Sequence, residues 1–196
     1  MLAAERLPGP FYPHSSGPVT PADWECLDGT LFVDDEQHPW LVFCHEWLQV
    51  SDGEMCAVRL ADDLKDSLGA PVILFHASDA AWARPINDEG ALVTDGPFLH
   101  RASNGELLML WATHGAAGYL QGLARSTTGL LTGPWTQDPA PIYAGDGGHG
   151  MLFRAFDGAL MLTLHTPNDS PNERPIFITV REEGGHIYLR DTPDPQ

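Results

Sequence analysis

The sequence predicts an all-β protein, a β-propeller of which about three four-stranded blades lie in this chain. Three observations predict it. One hairpin-forming unit recurs three times in order, the signature of a repeat architecture. The 17 prolines and 20 glycines punctuate short apolar runs rather than forming one block, as expected of many strands joined by turns. No long apolar stripe has the 3.6-residue period of a helix.

The units are LDGTLFVDDEQHPWLVFCHE from Leu27, TDGPFLHRASNGELLMLWATH from Thr94, and GHGMLFRAFDGALMLTLHT from Gly148. Each starts with a polar residue and glycine: Asp28-Gly29, Asp95-Gly96, His149-Gly150. An apolar strand follows, then a turn, then a second apolar strand that ends in histidine: His45, His114, His165. The turns fall at Asp34 to Pro39, Ser103 to Glu106 and Phe156 to Ala159, where Asp, Asn, Gly and Pro favour hairpins.

Third strands are expected at Met55 to Leu60, Tyr119 to Ser126 and Pro175 to Arg181. Fourth strands are expected at Val72 to His76, near Trp135 and Ile142, and at His186 to Arg190. The segment GPFYPHSSGPVTP, from Gly9, echoes GPWTQDPAPIYAG, from Gly133, and each precedes the next unit. Residues 1–20 therefore read as the end of a preceding blade. The whole chain, 1–196, reads as one propeller domain with blades near 25–80, 92–143 and 147–190. A β-sandwich built from hairpins is the alternative architecture. One helical turn is expected at Ala61 to Leu68.

A net charge of −17 repels phosphate backbones and argues against nucleic-acid binding. No run reaches the roughly 18 apolar residues of a membrane span, and the first residues carry no signal-length apolar core. Cys26, Cys44 and Cys56 form no CxxC pair and leave an odd number, which suggests neither zinc nor a disulfide framework. Free thiols fit a reducing compartment, so a cytoplasmic location is expected, with secretion open if a natural N-terminus lies further upstream.

The motifs that open the units resemble glycoside hydrolase family 43, and the resemblance runs from about Gly9 to Arg190. It implies a five-bladed propeller whose blades point their leading polar residues at a central cavity. It implies inverting hydrolysis of β-xylosides or α-L-arabinofuranosides in plant polysaccharide breakdown. Val93 to Phe98 resembles the segment of the general acid, which makes Asp95 the acid. Leu27 to Asp34 resembles the segment of the aspartate that tunes and orients that acid, which makes Asp28 the modulator. Gly147 to Gly150 resembles the segment whose histidine, His149, lies at the propeller axis near calcium or a water cluster; waters would complete the calcium shell, since calcium prefers oxygen.

This chain departs from the family twice. The family usually has glutamate where Asp95 stands, so the carboxyl is withdrawn by about 1.5 Å. No residue matches the general base, which the family carries nearer the N-terminus, on a blade absent from this sequence. A longer gene product could supply that base. So could a homo-oligomer that covers the open propeller edges, since unpaired strands invite association.

Inversion needs an acid on one side of the scissile bond and a base on the other. A nearby carboxylate and burial keep the acid protonated, and Asp28 beside Asp95 makes such a pair. Read without the family, both are aspartates that serve turn hydrogen bonds. His45, Glu46, His114 and His165, at strand ends, and Arg174, on a loop, are candidate sugar contacts at the rim. Trp24, Trp47 and Trp82 could stack on sugar, whereas Trp111 reads as core. Two functional classes remain open. One is a glycosidase acting on a carbohydrate. The other is a non-catalytic carbohydrate-binding or structural remnant without the base. A protein-interaction propeller has less support, because no WD or kelch-type motif repeats.

Overall fold

The computed structural model describes residues 1–190. The chain is all-β, with three antiparallel four-stranded sheets in sequence. The first sheet is β3 (Cys26–Val33), β4 (Pro39–His45), β5 (Glu54–Leu60) and β6 (Ser67–His76). The second is β7 (Asp95–Arg101), β8 (Leu107–Gly115), β9 (Gly118–Ser126) and β10 (Thr136–Gln137). The third is β11 (Gly148–Arg154), β12 (Leu160–Thr166), β13 (Arg174–Glu183) and β14 (His186–Arg190). Each is a meander, with its first strand at one edge and its last at the other. These are propeller blades.

A two-stranded ribbon precedes them, β1 (Leu2–Ala3) against β2 (Tyr12–Pro13). Tyr12 follows Gly9 as Thr136 follows Gly133, and both glycines have positive φ, 79° and 83°. The ribbon thus repeats the outer pair of the second blade, β9 with β10.

Apolar side chains on alternating positions pack blade on blade. Between the first and second blades lie Val42, Cys44, Met55, Phe75, Met109 and Trp111. Between the second and third lie Leu108, Leu110, Leu123, Leu162 and Ile178. The far face of the first blade, with Phe43, Val58 and Leu60, is covered by Val19 and Trp24 of the N-terminal segment. Among the described residues no helix is long and apolar enough to cross a membrane.

Three details differ from the sequence expectations. Ala61 to Leu68 is not helical: Ala61 N–H bonds to Asp66 O, Leu64 takes a left-handed φ of 61°, and β6 already begins at Ser67. Among the described residues the one α-helical turn is α1 (Trp47–Val50) instead. The fourth strand of the second blade is only Thr136–Gln137; Ile142 lies outside it, and Tyr143 makes an isolated bridge to Gln121.

Polar groups also tie the blades together. Gln121 is fully buried; its amide donates to Trp111 O (2.8 Å) and its oxygen accepts from Gly150 N–H (2.6 Å). Glu182 reaches across to His100 Nε2 (2.8 Å) and Ser103 N–H (2.6 Å). Burial pushes its carboxyl up, but the His100 and Ser103 hydrogen bonds outweigh this and bring its pKa down to about 2. A carboxyl depressed in the folded state contributes stability above its unfolded value of about 4.3 and loses it as pH falls. Acid unfolding between about pH 4.5 and 2 is therefore expected to be shallower in Glu182→Gln than in the parent chain, measured by urea melts across that window.

Candidate active site

The site grows from a β-bulge repeated at the start of each inner strand. In β3 the pairing jumps between Leu27 and Thr30, in β7 between Asp95 and Phe98, and in β11 between Gly148 and Met151. A bulge bends the strand and re-aims its side chains. The first bulged residue has positive φ in all three: Asp28 at 58°, Gly96 at 54°, His149 at 56°. Glycine adopts this conformation freely, whereas Asp and His do so at a cost of about 1–3 kcal/mol. Non-glycine residues held at such angles by their surroundings are candidates for functional positions.

The surroundings do hold them. Gly96 N–H donates to Asp28 Oδ2 (3.0 Å), and His149 Nδ1 lies 3.9 Å from the same oxygen. A Cβ on Gly96 would sit 2.7 Å from the His149 ring, so only glycine leaves room for the imidazole. The three bulges thus meet at one point and line a cavity of about 250 Å³ with Thr30, Phe98 and Met151.

This register corrects the apparent repeat by one residue. Val33 pairs with Pro39, Arg101 with Leu107 and Arg154 with Leu160, each at the same distance from its bulge. Asp28 is therefore equivalent to Gly96 and His149, not to Asp95. Asp95 stands one position earlier, with Leu27 and Gly148. Because strand side chains alternate in direction, Asp28 lines this cavity, whereas Asp95 stands beside its lining and within the reach of the Asp28 charge.

Asp95 is half-buried, and its Oδ2 accepts a hydrogen bond from the Tyr119 hydroxyl (2.8 Å). Burial pushes its pKa up, and the Asp28 charge adds to the rise. The Tyr119 hydrogen bond, His149 and His114 pull the other way without cancelling it. Glu46 lies in the same field: burial first, then Asp95 and Asp28, raise its pKa. Asp28, Asp95, His149 and Glu46 form one electrostatically coupled group. Tyr119 was not singled out in the sequence; an aromatic residue opening a third strand carries no signal of its own.

The other expected contacts divide. His114 and His165 flank Tyr119, one edge-on with centroids at 5.1 Å, the other stacked at 5.6 Å. His165 also bonds to Asn168 Oδ1 (3.0 Å). His45 is not a rim contact. It is buried, stacked on Trp24 at 4.0 Å, with Nδ1 on Glu54 (2.8 Å) and Nε2 on Gln49 (2.8 Å). The bulge registers explain this. His165 faces the residue before its bulge and His114 lies two positions further along its strand, so both take one face; His45 lies one position further and takes the other. Arg174 is not on a loop either. It is exposed as the first residue of β13, pairs with Thr166, and donates to the carbonyls of Pro171 (3.0 Å) and Glu173 (2.8 Å). Trp111 is fully buried in the core, and Trp82 packs on it at 5.2 Å.

The protein donors at His149 do not by themselves make a calcium cage. Calcium takes about six to eight oxygen ligands. Among the described residues Asp28 is the one carboxylate within 4.0 Å of the imidazole, and the Gln121 oxygen is already engaged by Gly150 N–H. Among the described residues no group of three or more His, Cys, Asp or Glu is placed to hold a metal ion.

The model for glycosyl hydrolases family 43 matches residues 1–183. The chain belongs to glycosyl hydrolase family 43. Among solved structures similar to this family 43 chain is an endo-arabinase from Bacteroides thetaiotaomicron, 42% identical with a TM-score of 0.89, over 94% of this chain and 66% of that one. An endo-1,4-beta-xylanase from the same organism is 21% identical with a TM-score of 0.74, over 94% and 64%. An α-L-arabinofuranosidase from Lactobacillus brevis is 18% identical with a TM-score of 0.70, over 89% and 58%. The last two share the fold alone. Comparison with curated proteins gives no match. The chain thus spans less than two thirds of the length of the solved structures it resembles.

Proposed function

We propose that this chain forms the acid-donating part of an inverting glycosidase site that acts on α-L-arabinofuranosides. One observation carries the reading: Asp95, on the family's acid motif, has a carboxyl whose pKa is raised by burial and by the neighbouring Asp28. A pKa raised above the usual carboxylate range favours the protonated form that a general acid needs. As the glycosidic bond breaks, that proton moves from Asp95 to the departing oxygen. In the same displacement water attacks the anomeric carbon from the opposite face, and its proton goes to a general base that no residue of this sequence matches. The Asp28 charge disfavours the Asp95 anion left behind and favours its reprotonation. Glu46, within this group, and His114 and His165, beside Tyr119, serve as sugar contacts. The 42% identical structure is that of an endo-arabinase, which supports arabinose over xylose.

The test is hydrolysis of 4-nitrophenyl α-L-arabinofuranoside and 4-nitrophenyl β-D-xyloside, with the anomer of the first-formed sugar read by NMR. The expected result is a preference for the arabinoside of about tenfold or more, with inversion. Xyloside preference or retention would contradict it. A second reading rests on the absence of any residue in this sequence that matches the family's base. It is a chain that binds sugar without turnover, recognised by arabinose oligomers shifting the amide resonances of Asp28, Asp95 and His149 while no hydrolysis occurs.

A further inference from the structure

Tyr119 is a buried titratable group with no part in the proton transfer from Asp95 to the leaving oxygen. It is 3% exposed, on the seam between the second and third blades. Its backbone N–H donates to Asp146 Oδ1 (3.1 Å), and its carbonyl accepts from Gly147 N–H (3.0 Å). Its ring lies between His165 and His114. A Cβ on Gly148 would come within 2.8 Å of Tyr119 Cε1, so the neighbouring strand leaves room for this ring and no more. The phenol is held from both sides and reaches one polar target, Asp95 Oδ2, at 2.8 Å.

We propose that Tyr119 is a positioning residue for Asp95, its hydroxyl fixing one carboxylate oxygen so that the other carries the transferable proton. The inference rests on Asp95 being the acid. Oδ2 is occupied as an acceptor, so the proton resides on Oδ1 and moves from there to the leaving oxygen. The resulting carboxylate keeps the Tyr119 hydrogen bond. Asp95 has one torsion fewer than the glutamate usual at this position, so a rigid donor fixes its aim with few alternatives.

The same bond sets how readily the proton leaves. The groups facing Asp95 are Asp28 on β3, Cys44 on β4, Glu46 just beyond it, His114 on β8, Tyr119 on β9 and His149 on β11. Burial and Asp28 hold the proton on, and Tyr119, donating to the ionised form, opposes them.

The experiment is a ¹³C NMR titration of the Asp95 side-chain carboxyl in the 196-residue chain, its Tyr119→Phe variant, and a form carrying 3-fluorotyrosine at position 119. Phenylalanine removes the donor, and the midpoint is expected to rise by about one pH unit. Fluorination strengthens the donor at nearly constant shape, and the midpoint is expected to fall. A merely structural role gives no such pair of opposite shifts. An unmoved midpoint in the fluorinated protein, or one that rises, overturns the proposal even if Tyr119→Phe fails to fold. The titration needs no turnover. Opposite shifts would therefore uphold the Tyr119 pairing even in a chain that hydrolyses nothing, whereas failure to form glycosyl azide from an activated arabinoside would count separately against Asp95 as the acid.

Discussion

Asp95→Asn is expected to lower hydrolysis of 4-nitrophenyl α-L-arabinofuranoside by about 100- to 10,000-fold, the usual contribution of a general acid. The amide keeps an oxygen that accepts from Tyr119 and keeps nearly the same volume, so the fold is retained. What it lacks is a proton to give. The loss is therefore expected to shrink for the 2,4-dinitrophenyl glycoside, whose leaving group departs without protonation. Comparing kcat for the two substrates in parent and variant checks this. Equal losses would mean that Asp95 binds or orients the sugar rather than protonating the leaving oxygen.

The largest expected loss of stability follows from truncating Trp111. Its side chain is fully buried between the first and second blades, against Phe75 at 5.3 Å and Trp82 at 5.2 Å, and its Nε1 donates to Gln137 Oε1 (2.9 Å). Removing a buried tryptophan loses its transfer energy and leaves a cavity, together about 3–5 kcal/mol. The Gln137 amide, whose Nε2 already has no partner, would then also lose the bond to its oxygen. Trp111→Ala is expected to unfold at markedly lower denaturant, measured by urea melts followed by circular dichroism. A shift under about 1 kcal/mol would mean that the two blades pack independently of this residue.

The blades were legible in the sequence because each inner hairpin alternates apolar runs with a turn of fixed chemistry, and the turns at Asp34, Ser103 and Phe156 fall where expected. The one-residue error at Asp95 has a physical origin. Asp-Gly and His-Gly look alike as dipeptides, but a bulge places two residues against one, and a dipeptide does not reveal which of its residues is bulged. The equal distance from each bulge to its hairpin turn carried the correct register. The histidines ending the second strands misled for the same reason, since a shift of one residue sends His45 to the other face of its sheet. Tyr119 could not be found from local pattern at all. Its meaning lies in a contact with Asp95 across two strands and in the clearance that Gly148 provides.

That Asp95 donates the proton in an inverting site is a claim azide can decide, because azide attacks the anomeric carbon without a base and so bypasses the group that this sequence does not match. With 4-nitrophenyl α-L-arabinofuranoside and azide, the chain is expected to form arabinosyl azide of inverted configuration, and Asp95→Asn is expected to form far less. No glycosyl azide, a retained configuration, or the same yield from Asp95→Asn would contradict the claim.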